Sequence, residues 1–175
     1  MKIEGHRDFL PVNIAVLTVS DTRSEADDRS GNTLIERLGK AGHRLAARAI
    51  VRDEAETIAS QLQSWIDDPE IDVVISTGGT GVTGRDVTPE AVARVAEKEI
   101  PGFGELFRWI SYQKIKTSTI QSRAVAAVAK GTYIFALPGS PGACKDAWDD
   151  ILEAQLDSRT TPCNFVELMP RLQEA

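Results

Sequence analysis

A glycine-rich segment of the chain carries the residue types best suited to phosphate chemistry. Residues 72–90 begin as an apolar stretch, continue as a loop, and end where Thr88 and Pro89 predict the start of a helix. Amides of such a loop can approach a phosphate closely, and the helix N-terminus adds unpaired amides and the positive end of its dipole. Arg85 and Asp86 add a cation and a carboxylate able to bind Mg²⁺. The glycines are Gly78, Gly79, Gly81 and Gly84. We predict an anion site, with a plain strand-to-helix turn as the alternative.

Two well-known phosphate loops match this segment only in part. Gly79, Gly81 and Gly84 have the spacing of a dinucleotide fingerprint, and Tyr112 with Lys116 resembles the catalytic pair of short-chain dehydrogenases. A dinucleotide fold would start its helix at the second glycine, whereas here the predicted helix starts several residues later. The segment also lacks the lysine and the Ser/Thr of a P-loop. A nicotinamide-dependent oxidoreductase is therefore a distant alternative.

Length, charge and cysteine content indicate one domain of a cytoplasmic protein. The chain has 175 residues, 20 basic against 26 acidic side chains, and a formal charge of −6. This charge repels a phosphodiester backbone, so nucleic acid is not an expected partner. Neither a signal peptide nor an apolar stretch of about 20 residues is evident, so no membrane partner is expected. Cys144 and Cys163 lack the spacing of a metal site, which predicts reduced thiols.

Strands alternate with helices along the chain. Apolar runs predict strands at 13–20, 44–52, 72–77 and 132–137. Residues 124–129 favour a hairpin strand, although their alanines also suit a helix. Ser30, Asp53 (with Glu56 in the capping-box position), Thr88 and Ser140 are predicted N-caps. The pattern predicts an α/β fold, a three-layer α/β/α sandwich with a mostly parallel mixed central sheet. One domain spans 1–175, including an N-terminal arm at 1–11 and a C-terminal tail at 158–175.

Four polar or glycine-rich loops follow predicted strands, at 20–22, 52–54, 77–86 and 138–142. Ligands of open α/β sheets bind beyond the carboxyl ends of the strands, so these loops should surround a site. Asp86 is the first choice for a magnesium ligand or an orienting group, with a loop-capping carboxylate as the alternative. Asp53 has two interpretations, as a magnesium ligand or as an N-cap. Arg123 could clamp a phosphate through two N–H groups or form an exposed salt bridge.

A set of motifs spread over residues 12–157 resembles the molybdopterin-binding family. The motifs are Val19-Ser-Asp-Thr22, Asp28-Arg-Ser-Gly31, Thr77-Gly-Gly-Thr-Gly81, Gly84-Arg-Asp-Val-Thr-Pro-Glu-Ala91, Pro101-Gly-Phe-Gly-Glu-Leu-Phe107, Ser122-Arg-Ala-Val-Ala126 and Leu137-Pro-Gly-Ser-Pro141. Segments 118–126 and 156–165 further resemble the branch of the family named for molybdenum cofactor biosynthesis protein B. Its sister branch contains adenylyltransferases.

The resemblance implies a function and a set of site residues. Sister-branch enzymes transfer AMP from Mg-ATP to the phosphate of molybdopterin and release pyrophosphate, and some branch-B members are thought to bind pterin without turnover. Both functions are therefore expected alternatives, with molybdopterin and ATP or another nucleotide as partners and Mg²⁺ as the metal. Asp86 and Asp53 would be catalytic and hold Mg²⁺. The implied binding residues are Ser20, Asp21, Ser30, Gly31, Gly78, Gly79, Thr80, Gly81, Arg85, Glu90, Ser122, Arg123, Pro138, Gly139 and Ser140. The family also implies a homotrimer or homohexamer, for which residues 103–109 are a candidate interface, with core packing as the alternative.

Overall fold

A computed structural model of the chain, which describes residues 2–174, contains eight strands and seven α-helices. The strands are β1 (Lys2–Ile3), β2 (Asn13–Val19), β3 (Arg44–Val51), β4 (Val73–Thr77), β5 (Lys98–Glu99), β6 (Val125–Ala129), β7 (Thr132–Leu137) and β8 (Thr160–Thr161). The helices are α1 (Arg29–Lys40), α2 (Ala55–Ile66), α3 (Thr88–Val95), α4 (Pro101–Ile115), α5 (Pro141–Ala147), α6 (Glu153–Gln155) and α7 (Phe165–Leu168). A 3₁₀ turn (Lys116–Gln121) follows α4, and a π-helical turn (Trp148–Leu152) joins α5 to α6.

The central sheet has six strands in the order β3-β2-β4-β7-β6-β5. The first four run parallel, whereas β6 is antiparallel to β7 and β5 is antiparallel to β6. Alternate residues of β2 point to opposite faces: Ile14 and Val16 pack with α1, α4 and α5, and Ala15 and Leu17 pack with α2 and α3. Both faces are therefore covered by helices. The predicted sandwich with a mostly parallel mixed sheet is confirmed.

The hairpin predicted at 124–137 is present. Lys130 and Gly131 join β6 to β7 with φ of 47° and 90°, the two positive values that a tight hairpin turn requires. The alanine-rich β6 is held between β7 and β5, so its pairing outweighs its helix propensity. The strand β5 was not predicted, because two exposed residues are too short to show a pattern.

Three of the four predicted N-caps are wrong. Asp28, not Ser30, caps α1 by accepting from the Gly31 amide at 2.9 Å. Glu54 precedes α2 without a side-chain cap bond, so neither Asp53 nor a capping box with Glu56 is present. Val87 precedes α3, while the Thr88 hydroxyl donates to the Gly78 carbonyl at 2.8 Å. The Ser30 and Thr88 hydroxyls donate instead to the backbone carbonyls of Gly139 and Gly78, partners that local sequence does not show. Ser140 does cap α5, as predicted.

The N-terminal arm and the C-terminal tail pack against each other. Strand β1 pairs antiparallel with β8, and the Ser158 hydroxyl accepts from the Leu10 amide and donates to the Asp8 carbonyl, each at 2.9 Å. Cys144 is fully buried, whereas Cys163 is exposed. Within residues 2–174, no helix combines the length and the apolarity needed to cross a membrane.

His43 is buried where the arm meets the core. Only 6% of the residue is exposed, its ring lies against Phe9 and Trp148, and its Nδ1 accepts from the Val12 amide at 3.2 Å. Burial lowers the pKa of His43 to about 4, against a smaller opposing effect of Asp157. The folded state therefore holds a neutral ring at pH values where an unfolded histidine is protonated.

This depressed pKa predicts a loss of stability in mild acid. Between the ordinary histidine pKa of about 6.5 and the folded value, protons bind preferentially to the unfolded chain. We expect the free energy of unfolding to fall by about 2–3 kcal/mol from pH 7 to pH 4.5, at roughly 1.4 kcal/mol per pKa unit. Denaturant titrations of wild type and His43→Gln at both pH values measure this, because the variant loses that part of the slope. The exposed His6→Gln variant is the control, and equal slopes in all three proteins would contradict the prediction.

Candidate functional site

A cavity of about 660 Å³ lies at the carboxyl ends of β2, β4 and β7. This volume is within the range of small-molecule sites. Its walls are three of the four predicted loops together with one face of α4 and the 3₁₀ turn after it. The fourth loop, 52–54, does not line it. The predicted residues that line the cavity are Ser20, Gly78, Gly79, Thr80, Gly81, Asp86, Ser122, Pro138, Gly139 and Ser140.

The glycine loop passes directly over the end of β2. Gly78 and Gly79 adopt φ of 108° and 63°, a region that side chains disfavour. A Cβ on Gly78 would lie 2.2 Å from the Val19 carbonyl oxygen, so no larger residue fits there. The close approach is fixed by the Gly78 amide, which donates to the Leu137 carbonyl at 3.0 Å. By contrast, a Cβ on Gly84 meets open space.

Thr80 presents unpaired polar groups inside this loop. The residue is 2% exposed, and its hydroxyl has no hydrogen-bond partner. Among the hydrogen bonds of residues 2–174, none is donated by the amides of Gly79 or Thr80. Buried donors are almost always paired in folded proteins, and successive backbone amides form anion-binding concavities. The loop therefore has the donors that an anion in the cavity would satisfy.

Asp86 closes the same loop and lines the cavity. Its Oδ2 accepts from the amide and the hydroxyl of Thr83 at 2.8 and 2.7 Å. Burial alone would raise the pKa of Asp86, but these bonds and the Gly81 amide lower it below the ordinary value. Asp86 is therefore ionised in neutral solution. The alternative of a loop-capping carboxylate is confirmed, and the position of Asp86 in the cavity wall is compatible with a ligand role as well.

A second charged group lies beside the glycine loop, on the β3 side. The Arg85 guanidinium pairs with Asp21 at 2.5 Å, and Asp21 Oδ1 accepts from the Asp53 amide at 3.2 Å. Burial, and then the negative charge of Asp21, raise the pKa of Asp53. The Asp53 carboxylate faces Gly79, where an added Cβ would lie 3.1 Å from its Oδ1. Asp86 in turn faces Gly81, so the two carboxylates approach the glycine loop two residues apart, and of the two only Asp86 lines the cavity.

A family model described as "Probable molybdopterin binding domain" matches residues 15–158. The chain belongs to the molybdopterin-binding family. It is 49% identical over 158 residues to molybdenum cofactor biosynthesis protein B of Escherichia coli K12, covering 90% of this chain and 93% of that protein. A crystal structure of molybdenum cofactor biosynthesis protein B superposes with a TM-score of 0.87, at 36% identity and 97% and 100% coverage of the two chains. The crystal structure of the tungsten cofactor synthesizing protein MoaB from Pyrococcus furiosus superposes with a TM-score of 0.73, at 36% identity, covering 81% of this chain and 90% of that chain. The resemblance to this family and to its B branch is confirmed.

Arg123 of this molybdopterin-binding chain braces the glycine loop. Its Nε donates to the Gly81 carbonyl at 2.6 Å, one Nη donates to the Asp86 carbonyl at 2.5 Å, and the guanidinium pairs with Glu90. The ion pair lowers the pKa of Glu90. The structure thus shows the salt bridge that was the alternative to a phosphate clamp, because the donors of Arg123 are already used by the loop. Neither Glu90 nor Arg123 lines the cavity.

Ser30 and Gly31, both predicted to contact the ligand, are buried and do not line the cavity. A Cβ on Gly31 would lie 2.1 Å from Asp28 Oδ2 and 2.8 Å from Thr18 Oγ1, so the glycine allows α1 to pack closely on β2. The Ser30 hydroxyl donates to the Gly139 carbonyl at 2.8 Å. These motif residues support the cavity wall from behind. Their direct contact with the ligand stays a prediction.

Several cavity residues were missed at the level of sequence. Lys114 lies in the wall and pairs with Asp146 at 2.6 Å. The others include Arg23, Ser111 and Thr119. Phe107, Ser111 and Lys114 share one face of α4 by their spacing of three and four residues, a pattern visible in the sequence. The pattern marks a face without showing whether it meets core, solvent or ligand.

Proposed function

We propose that this chain binds molybdopterin and transfers AMP to it from Mg-ATP, with pyrophosphate as the leaving product. The observation that carries the proposal is the set of unpaired donors of Gly79 and Thr80 in a loop that lines the cavity, because both proposed substrates carry phosphate. Family membership is the reason for proposing molybdopterin as a substrate, and the relatives named for molybdenum cofactor biosynthesis are the reason for proposing that pathway.

In the proposed reaction an oxygen of the molybdopterin phosphate attacks the α-phosphorus of ATP. A new P–O bond forms, the bond from the α-phosphorus to its bridging oxygen breaks, and the electron pair leaves with pyrophosphate. Such transfers depend mostly on positioning and on stabilising the charge of the phosphoryl oxygens. In this proposal, the amides of Gly79 and Thr80 and the Thr80 hydroxyl donate to those oxygens.

The acidic residues fit the magnesium that accompanies ATP. The pKa of Asp53 is raised by burial and by Asp21, and a divalent cation would offset both effects. Asp86 is ionised and lies next to the same loop. Within the described residues, no group of three or more acidic, histidine or cysteine side chains is arranged for a metal. Mg²⁺ commonly uses one or two carboxylates together with substrate phosphates and water, so Asp86 and Asp53 would suffice.

A binding protein without turnover is the second candidate. The specific observation in its favour is that Asp86 Oδ2 already accepts two bonds from Thr83, which gives the carboxylate a purely structural role in the loop.

Assembly as a homotrimer or homohexamer stays a proposal. On α4, Phe103 and Phe107 are buried, whereas Leu106 and Trp109 are 42% and 65% exposed, so the candidate interface stretch is divided between core and surface.

Thermal stability measures ligand binding directly. A ligand at 100 times its Kd stabilises the folded state by about 2.7 kcal/mol, which raises Tm by roughly 5–10 °C for a chain of this size. We expect that shift with Mg-ATP and with molybdopterin, and no shift with NADH or NADPH. Thr80→Val should shrink the shift because it removes the unpaired hydroxyl, whereas Thr57→Val on the exposed face of α2 should not. A shift with a nicotinamide nucleotide and none with ATP or pterin would contradict the proposal.

A further inference from the structure

Arg23 joins two cavity loops that the sheet itself keeps apart. It lies after β2, and its guanidinium reaches the loop after β7, although β4 separates these strands in the sheet. One Nη donates to the Gly139 carbonyl at 2.9 Å, and the other donates to the Ser30 hydroxyl at 3.1 Å. Ser30 in turn donates to the same Gly139 carbonyl at 2.8 Å. A single backbone oxygen is thus held by two donors from the opposite side of the cavity.

The position of Gly139 matters for the glycine loop. A Cβ on Gly139 would lie 3.2 Å from Gly78 Cα, so the two loops are in contact at this point. Ser140, the next residue, caps α5 and lines the cavity. Any displacement of the Gly139 carbonyl would therefore move one cavity wall relative to the unpaired donors of the other. Asp28, buried 3.8 Å from Arg23 Nη1, holds the guanidinium inward.

We propose that Arg23 is a positioning residue for the anionic ligand of the cavity. It holds the Gly139 carbonyl and thereby fixes residues 138–140 at the spacing from the glycine loop at which both walls contact a phosphate-bearing ligand. Hydrogen bonds from a charged donor are about twice as strong as neutral ones, so this contact fixes the loop more firmly than Ser30 alone can. The inference rests on the proposed function only in taking the ligand to be anionic.

The experiment compares Arg23→Gln, Ser30→Ala and the double variant with Arg37→Gln. Arg37 is a matched control, because this arginine of α1 likewise reaches the chain after β7, where it pairs with Asp149 at 2.7 Å, but it does not line the cavity. Calorimetry gives the Kd of Mg-ATP, and hydrogen exchange without ligand follows the amides of Ala143 and Cys144, which donate to the Ser140 hydroxyl and carbonyl at 3.2 and 3.1 Å. We expect Arg23→Gln to weaken binding at least about tenfold and Ser30→Ala several-fold. Exchange should accelerate in both variants, and Arg37→Gln should change neither quantity.

The double variant tests whether the two donors act through one carbonyl. Since Arg23 and Ser30 hold the same oxygen, the combined loss of affinity should be smaller than the product of the single losses. Weaker binding in Arg23→Gln alone, with Ser30→Ala and the exchange rates unchanged, would overturn positioning in favour of a direct charge contact. Wild-type protein that binds neither Mg-ATP nor molybdopterin contradicts the proposed function instead. In that case unchanged loop exchange in Arg23→Gln overturns the positioning role independently.

Discussion

Asp28→Ala is expected to lower the free energy of unfolding by about 3–5 kcal/mol, the range for removing one partner of a buried ion pair. Asp28 is fully buried and accepts from the Thr18 hydroxyl at 2.6 Å, from the Gly31 amide at 2.9 Å and from Arg48 at 3.0 Å. Its removal leaves the Arg48 guanidinium without its carboxylate and α1 without its N-cap. The Arg48 Nε is already unpaired, so no second partner is at hand. Denaturant unfolding at pH 7 measures the loss.

Two further variants separate the contributions to this effect. Asp28→Asn keeps an acceptor for the Gly31 amide but removes the charge facing Arg48, so it should lose less stability than Asp28→Ala. Asp27→Ala is the matched control, because Asp27 is an exposed acid one residue earlier whose partner is Ser24. A loss below about 1 kcal/mol for Asp28→Ala, similar to that of Asp27→Ala, would show that the buried network is not important for stability.

The sheet was predictable because its signals are local. The apolar runs at β2, β4 and β7 are buried on both faces and stand out in the sequence without any knowledge of neighbours. The helix caps were less predictable for the opposite reason. Ser30 and Thr88 are typical N-cap residues, but their hydroxyls donate to the backbone carbonyls of Gly139 and Gly78. Which hydroxyl caps a helix therefore depends on tertiary contacts.

In the candidate site, too, the residues with local sequence signals were predictable and those defined by tertiary contacts were not. Asp86 and Thr80 lie in a motif dense enough to predict a ligand loop, and both line the cavity. Arg23 and Lys114 were missed because nothing nearby in sequence shows the partners, Gly139 and Asp146, that they meet across the fold. The sequence left Arg123 open between a phosphate clamp and an exposed salt bridge. Its actual partners are two backbone carbonyls and Glu90, brought together by the folded loop.

The substitution Asp86→Asn distinguishes an enzyme from a binding protein. The asparagine Oδ1 can replace Asp86 Oδ2 as the acceptor for Thr83, so the loop keeps most of its shape while the charge is lost. If the chain is an adenylyltransferase, pterin binding should stay within a few-fold of wild type. AMP transfer should slow by roughly two to three orders of magnitude, the size expected for losing one electrostatic stabiliser.

Asp53→Asn is the companion variant, which tests whether Asp53 shares the magnesium ion. Asp53 does not cap α2, so the substitution should have little effect on helix stability, and a slower reaction would report a shared magnesium site rather than a damaged fold. Asp67→Asn, an exposed acid at the end of α2 that pairs with Lys130, is the control. Pyrophosphate release with molybdopterin and Mg-ATP is the assay for all four proteins. Wild-type protein that binds pterin but releases no pyrophosphate above background would reject the enzyme, because the Asp86 carboxylate would then serve Thr83 and the loop alone.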